Sequence, residues 1–291
     1  MTQPYEKYYV PAQSVWPIMG AVGLFLTAMG AGFTVQQMGS ELNYGLWILG
    51  CGFVVLISML FGWFGNVISE SMQGHYSAQM DRSFRQGMSW FIFSEVMFFG
   101  AFFGALFYAR MIAVPWLGGA GNNAMTAAVL WPEFEAIWPL LDTPGGIQTE
   151  AMGWYGLPLL NTLILVTSSV TLHFAHVSLE KDKRTPLKLW LALTLVLGFS
   201  FLFFQVEEYL HAYQELDLRL DSGIYGNTFF LLTGFHGLHV TLGALMLTVI
   251  LLRVLKGHFS GDKHFAFMAA SWYWHFVDVV WLCLFLFVYV L

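Results

Sequence analysis

Ionisable side chains stand at five positions inside stretches of sequence that are otherwise apolar. One is the carboxyl group of Glu95, and the others form two pairs with i, i+3 spacing, His236 with His239 and His275 with Asp278. This spacing places both members of a pair on the same face of a helix. Because ionisable groups at membrane depth are costly and usually functional, each of these residues is a candidate site residue.

Three kinds of chemistry are open to this set. Imidazole pairs can ligate haem iron or copper, a chain of glutamate and histidine can relay protons, and the same groups can hold helices together as a hydrogen-bonded cluster. No cysteine joins the histidines, and His173 and His176 stand near the end of another apolar run. Gly100 and Gly104 follow Glu95 with the spacing of close helix packing. The residues favour the structural cluster, so we expect neither a catalytic residue nor a metal site.

Seven apolar runs carry these residues, and each has about the 20 residues that a helix needs to cross a bilayer. The chain is 57% hydrophobic and only 10% charged, whereas a soluble domain carries about 25% charged residues. The short alternating segments of a membrane barrel are absent. We therefore predict an all-α membrane protein, a single integral membrane domain over residues 1–291. Its seven helices are predicted at about 15–35, 44–64, 88–110, 157–177, 187–208, 225–252 and 265–291.

The distribution of lysine and arginine predicts the orientation of the helices, because cytoplasmic loops collect basic residues. With the N-terminus inside and the C-terminus outside, only Arg110 and Arg219 of the twelve basic residues fall on the outer side. The opposite orientation would invert this ratio. The residues predicted on the cytoplasmic side are Lys7, Arg82, Arg85, Lys181, Lys183, Arg184, Lys188, Arg253, Lys256 and Lys263.

Composition and local patterns exclude several other functions. The net charge is -6 and no basic tail or stripe is present, so nucleic acid is not an expected partner. Cys51 and Cys283 lie in apolar runs without the spacing of a disulfide or zinc pair, and we expect both to pack in the core. The start, MTQPYEKYYVPAQ, lacks the features of a signal peptide, so we expect the first apolar run to be retained.

Two features near the membrane boundaries have more than one interpretation. The stretch WPEFEAIWPLL in the long loop 115–156 fits an amphipathic segment at the interface and fits an irregular loop with aromatic anchors equally well. Glu70, His75, Arg253 and Lys256 stand at the predicted inner boundary. They are consistent with snorkelling side chains and with a phospholipid-headgroup site, which needs both cationic and acceptor groups.

Several stretches together resemble subunit III of the haem–copper cytochrome c oxidases. From Asp221, DSGIYGNTFFLLTGFHGLHVTLGA and then ASWYWHFVDVVWL are similar to the last two helices of that family almost word for word. Upstream, SEVMFFGAFF around Glu95, VISES around Glu70, PLLNT and AHVSL follow in the same order. The resemblance covers nearly the whole chain.

This resemblance implies a function that no local motif indicates. In the family, subunit III holds no haem or copper, which belong to subunits I and II. It packs on subunit I, binds phospholipids in a cleft between its first two helices and the other five, and supports proton uptake and catalytic lifetime. For this chain we therefore expect bound phospholipids but no cofactor of its own. Its expected partners are subunits I and II together with small accessory subunits.

The resemblance also assigns expected roles to individual residues. By position, Glu95 is similar to the family's buried, carbodiimide-reactive glutamate, and Glu70 and Arg253 are similar to its lipid-headgroup contacts. His75 corresponds to the first histidine of a Gly-His-His triplet, and Tyr76 replaces the second.

The depth of the polar groups predicts their contacts, because groups at one level of a bundle can meet and lipid offers no hydrogen-bond partner. We expect Glu95 to face protein or bound lipid and to contact a histidine of the sixth helix. We expect His275 and Asp278 to pair within the seventh helix or to reach subunit I.

Two rival functions come from the residues alone. One is a stand-alone proton-coupled transporter or channel, which broken helices in repeat-related positions would favour; the sequence contains none. The other is an intramembrane metalloprotein. The resemblance favours the oxidase subunit, and the long loop 115–156 with no transit peptide indicates a bacterial inner membrane rather than a mitochondrial one.

Overall fold

The fold is all-helical, as the computed structural model shows for residues 9–40 and 43–291. Seven helices in these ranges are long and apolar enough to cross a membrane, which confirms the predicted class. We name them α1 to α7. The orientation of the termini stays a prediction, and Lys7 lies outside the described residues. The bounds are Trp16–Gln36, Tyr44–Met72, Ala78–Tyr108, Leu157–Glu180, Arg184–Glu215, Ile224–Leu255 and Phe265–Leu284, with π-helical extensions of α3 over Ala109–Ala113 and of α7 over Phe285–Val290.

The helices extend further than their apolar runs predict. α2 is predicted to end near residue 64 but ends at Met72, and α3 begins at Ala78 instead of residue 88. α5 continues past residue 208 to Glu215. An existing helix gains one hydrogen bond for each residue added, so a polar residue at the boundary does not by itself end it.

The described chain divides into two compact units, one up to Phe84 and the other from Arg85 to Leu291. α1 and α2 belong to the first unit, and α4 to α7 with most of α3 belong to the second. Each unit has its own set of helix contacts.

Glycines line the contact between α1 and α2 in the first unit. A Cβ atom at Gly30 would meet the backbone of Leu49, and one at Gly45 would meet the backbone of Thr34. The two backbones therefore approach too closely for any side chain at these positions. Close packing through small residues is the usual way for membrane helices to associate.

Two tryptophans of α7 fill the centre of the second unit. Trp274 and Trp281 are both fully buried. The Trp274 indole packs against Gly198 of α5 and donates a hydrogen bond of 2.9 Å to Ser168 of α4. Trp281 donates a hydrogen bond of 2.9 Å to Thr162, also on α4. α7 is thus joined to α5 by ring packing and to α4 by hydrogen bonds.

A row of side chains at every fourth position of α3 faces α6 and α7. Glu95 is the polar member of this row, and phenylalanines occupy the other positions. The spacing places the row on one helix face, so the packing of the phenylalanines also fixes where Glu95 points. The aromatic contacts are Phe91 with Tyr273, Phe99 with Phe276 and Phe103 with Phe287, with ring centroids 6.1, 6.2 and 6.0 Å apart.

The long loop before α4 is mostly irregular. Its helical segments are all short and lie at its start, at Val114–Leu117, Gly121–Asn123 and Ala124–Leu130, whereas the stretch WPEFEAIWPLL that follows forms no helix. Trp138 packs on Tyr225 at the start of α6, with ring centroids 6.0 Å apart, and the Met152 N–H donates to the Tyr225 hydroxyl at 3.3 Å. These contacts favour the interpretation as an irregular loop with aromatic anchors.

Two expectations about packing are wrong within the described chain. Cys51 is exposed, while Cys283 is partly buried. No atom of a neighbouring described helix lies within 4 Å of where a Cβ at Gly100 or Gly104 would stand, so no close helix contact forms there. Lipid tails are as apolar as protein interiors, so an apolar sequence does not distinguish a buried face from one that faces lipid.

Candidate functional site

A hydrogen bond joins Glu95 of α3 to His239 of α6 inside the second unit. Glu95 Oε2 lies 2.9 Å from His239 Nε2, and the two side chains are 22% and 10% exposed. The rings of Phe99 and Tyr273 stand 4.9 and 6.3 Å from the His239 ring. The contact confirms the prediction that Glu95 meets a histidine of the sixth helix and a polar neighbour instead of open bilayer.

The second nitrogen of His239 determines how many protons this pair holds. His239 Nδ1 lies 2.6 Å from the carbonyl oxygen of Phe235, and because a carbonyl only accepts, Nδ1 donates its hydrogen. One further proton must lie between Nε2 and Glu95 Oε2, since two acceptors would otherwise face each other. Imidazolium with carboxylate, or imidazole with carboxylic acid, gives the same net charge of zero. A neutral pair avoids most of the cost of burying a charge.

His236 makes a separate contact one turn before His239 on α6. Its Nε2 donates to the carbonyl oxygen of Val277 on α7 at 3.1 Å. The ring lies near Trp281 and Phe201, with centroid distances of 5.0 and 5.6 Å. His236 is fully buried and connects α6 to α7 without joining the Glu95 pair.

The i, i+3 pair on α7 faces α4. His275 interacts electrostatically with His173 and His176, whereas the Asp278 carboxyl group faces Ser169. The shared face agrees with the spacing, but no hydrogen bond or ion pair joins His275 to Asp278 in the part of the chain that the structure describes. The prediction that they pair within α7 is therefore wrong here, and a contact with subunit I stays a prediction. Of the five predicted cluster residues, Glu95 and His239 are hydrogen-bonded to each other, whereas His236, His275 and Asp278 have other neighbours among the described residues.

Glu208 of α5 is a buried carboxyl group whose burial the sequence interpretation did not predict. It is fully buried, and Gln205 on the same helix face is buried as well. Glu208 Oε1 accepts a hydrogen bond of 2.6 Å from the hydroxyl of Tyr289, whereas the adjacent Glu207 is exposed. The i, i+3 spacing of Gln205 and Glu208 indicates from the sequence alone that the two side chains share one helix face.

The two predicted lipid residues at the end of α6 differ in their surroundings. Arg253 is 8% exposed, and its guanidinium carbon stands 4.4 Å from the centre of the Phe259 ring. Its Nε is buried and has no hydrogen-bond partner among the described residues. Lys256, by contrast, is exposed. Arg253 is therefore a largely buried cation with unused donor capacity.

The predicted lipid residues of the first unit already have protein partners. The Tyr76 hydroxyl donates to Glu70 Oε2 at 2.8 Å. Burial, and then this hydrogen bond, raises the pKa of the Tyr76 phenol. His75 Nε2 donates to Gln73 Oε1 at 2.8 Å, and its ring stacks on Tyr9 with centroids 4.9 Å apart. Glu70 keeps acceptor capacity, since a carboxylate can accept several hydrogen bonds.

Comparison with known sequences finds relatives along nearly the whole chain. The family profile described as Cytochrome c oxidase subunit III matches residues 6–291. Proteins named Cytochrome c oxidase subunit 3 from Oncorhynchus mykiss, Gadus morhua and Hippopotamus amphibius are 37%, 38% and 39% identical over 290 residues. Each alignment covers 99% of this chain and 98% of the relative. The similarity therefore includes both units.

Proposed function

Because the chain belongs to the cytochrome c oxidase subunit III family, we propose that it is the non-redox subunit III of a proton-pumping cytochrome c oxidase in an aerobic respiratory chain. The match over residues 6–291 is the observation that carries this proposal. The proposed complex is a translocase that passes electrons from cytochrome c to oxygen. Its haem and copper belong to subunits I and II, and this chain contributes no catalytic metal centre.

The proposed task of the chain is to pack on subunit I and to support proton uptake and stability. The pair of Glu95 and His239 supports this proposal, because it holds one shared proton at membrane depth without net charge. The same hydrogen bond keeps α3 attached to α6. Loss of either partner would weaken this contact and leave a polar group unpaired in an apolar environment.

Phospholipid binding is the other part of the proposed function. The surroundings of Arg253 fit a lipid phosphate, since its buried Nε lacks a protein partner among the described residues. A guanidinium group can also hold two phosphate oxygens at once. The exposed Lys256 would add attraction for anionic headgroups at the interface. Glu70 could accept a hydrogen bond from a headgroup amine, whereas His75 is engaged with Gln73.

We propose a bacterial inner membrane as the location of this multi-pass protein, in preference to the mitochondrial inner membrane. The support is the long loop 115–156, which exceeds that of the mitochondrial versions the sequence resembles. The curated relatives described above come from fish and a mammal, so this proposal depends on the loop alone.

Co-purification tests the proposed function. The tagged chain is isolated from its native membranes in mild detergent, and mass spectrometry identifies the polypeptides that accompany it. We expect subunits I and II in equal amounts, together with the absorption bands of haem. Membranes with the untagged chain provide the control. A chain that purifies alone and moves protons in liposomes would contradict the proposal and support the transporter alternative.

A further inference from the structure

Three metal-ligand side chains from two separate segments converge at one end of the second unit. His176 and Glu180 lie one turn apart at the end of α4, and His264 stands immediately before α7. One ligand atom from each of the three residues lies within 4.8 Å of the other two. We propose that these residues bind a first-row divalent cation, for which Zn²⁺ is the suitable probe.

The hydrogen bonds leave one nitrogen of each histidine available to a cation. His264 Nδ1 lies 3.2 Å from the carbonyl oxygen of Ser260, so Nδ1 donates and the lone pair of Nε2 is free. His176 Nε2 is buried and has no hydrogen-bond partner among the described residues. Its distance of 3.9 Å from Glu180 Oε1 is too long for a hydrogen bond. A bound cation would satisfy this buried nitrogen.

The ligand set indicates the class of cation. Two imidazoles and a carboxylate suit Zn²⁺, Cu²⁺ or Ni²⁺, whereas Mg²⁺ and Ca²⁺ prefer ligand sets made of oxygen. Bonds of about 2.1 Å place tetrahedral zinc ligands about 3.4 Å apart, so binding must draw the three side chains together. Glu180 can supply this movement because its side chain is 56% exposed.

The charges around the site are balanced. Arg85 interacts electrostatically with His176 and opposes a cation, while the Glu180 carboxylate favours one. His173 lies in the same surroundings. The sequence interpretation expected no metal site and did not consider His264, which stands outside the apolar runs. Only the packing of α7 on α4 brings His264 to His176.

Zinc binding to the purified protein tests this inference. The full chain is purified from membranes in mild detergent with whatever subunits accompany it, treated with a chelator, dialysed, and titrated with Zn²⁺ by calorimetry. The variants are Glu180→Gln and His264→Gln, because both side chains are accessible and their loss should leave the fold intact. The matched control is His211→Gln. His211 and Glu215 have the same i, i+4 spacing, 3.1 Å apart, and no third ligand completes that pair among the described residues.

We expect each site variant to lose one zinc ion per chain or to bind it at least about tenfold more weakly, since loss of even a group that only supports a metal ligand typically weakens binding by about 10- to 100-fold. The control should bind like the unaltered protein. X-ray absorption at the zinc edge should report nitrogen and oxygen ligands in the control and lose a nitrogen contribution in His264→Gln. Three results would overturn the proposal. They are equal zinc binding by all variants, no zinc binding by the unaltered protein, and a loss of zinc binding in His211→Gln equal to the loss in the site variants.

Discussion

At the scale of single residues, polar side chains in the second unit are connected by individual hydrogen bonds between helices. Glu95 meets His239, and Tyr289 donates to Glu208. Lipid offers no hydrogen-bond partner that could replace a lost one. The loss of one partner should therefore cost more than the loss of both, because a single replacement leaves the other group buried and unpaired.

A double-mutant cycle tests whether Glu95 and His239 depend on each other for stability in this way. Glu95→Leu alone and His239→Phe alone should each lower the free energy of unfolding by about 1–3 kcal/mol, measured by heat denaturation in detergent. The double variant should be less destabilised than the sum of the two. Ser94→Ala is the control, since Ser94 is exposed and bonds only to its own helix backbone. Strictly additive effects would contradict the coupling.

The unpaired donor of Arg253 leads to a prediction about lipid content. Arg253→Ala should remove a tightly held phospholipid while the protein still assembles, because the buried guanidinium is the proposed phosphate ligand. Mass spectrometry of lipids retained after purification measures this. Arg219→Ala is the control, since Arg219 is exposed and paired with Asp217. An unchanged lipid content in Arg253→Ala would rule out the phosphate contact.

At the scale of helices, the two units use different means of association. α1 and α2 approach through glycines, so that backbone packs against backbone. In the second unit, large rings fill the space between helices, and hydroxyl groups accept from the indoles of Trp274 and Trp281. The first kind of contact depends on the absence of side chains, and the second depends on their exact shape.

Two glycines of α2 allow the effect of helix packing on stability to be distinguished from the effect of helix propensity. A Cβ atom at Gly52 would lie 2.5 Å from the Thr27 hydroxyl, whereas at Gly50 it would meet no atom within 4 Å. Both alanine substitutions should gain up to about 1 kcal/mol from helix propensity, but Gly52→Ala should lose about 1–3 kcal/mol through overpacking. Heat denaturation should therefore show a lower transition temperature for Gly52→Ala than for Gly50→Ala. The reverse order would contradict the close approach of α1 and α2.

At the scale of the whole molecule, the fold was more predictable than the contacts. Apolar length predicts seven helices, since few alternatives satisfy the backbone in lipid. The depth of Glu95 predicts that it meets a histidine of α6, because groups at one level of a bundle can reach each other, and the structure shows that this histidine is His239. Helix spacing predicts a shared face for His275 and Asp278 but does not reveal which neighbour that face meets. For the same reason, the sequence interpretation missed both the burial of Glu208 and the approach of His264 to α4.

The position of His236 and His275 leads to a prediction about the assembled complex. Both contact only protein groups of the second unit among the described residues, and His236 serves to connect α6 with α7. His236→Phe and His275→Phe should loosen subunit binding or lipid retention and leave the haem absorption spectrum unchanged. Blue native electrophoresis and optical spectra measure the two effects. A shifted haem or copper spectrum with assembly intact would favour the metal-ligand interpretation instead.

The close approach of α1 and α2 also affects the order in which the protein can be made. A nascent chain leaves the ribosome from its N-terminus, so both helices enter the membrane while α3 is still being synthesised. Only residues 37–43 separate them, and the contacts at Gly30 and Gly45 need no residue from the second unit. The hairpin can therefore complete its packing co-translationally, before the ribosome has added the helices that carry Glu95, Arg253 and the tryptophans.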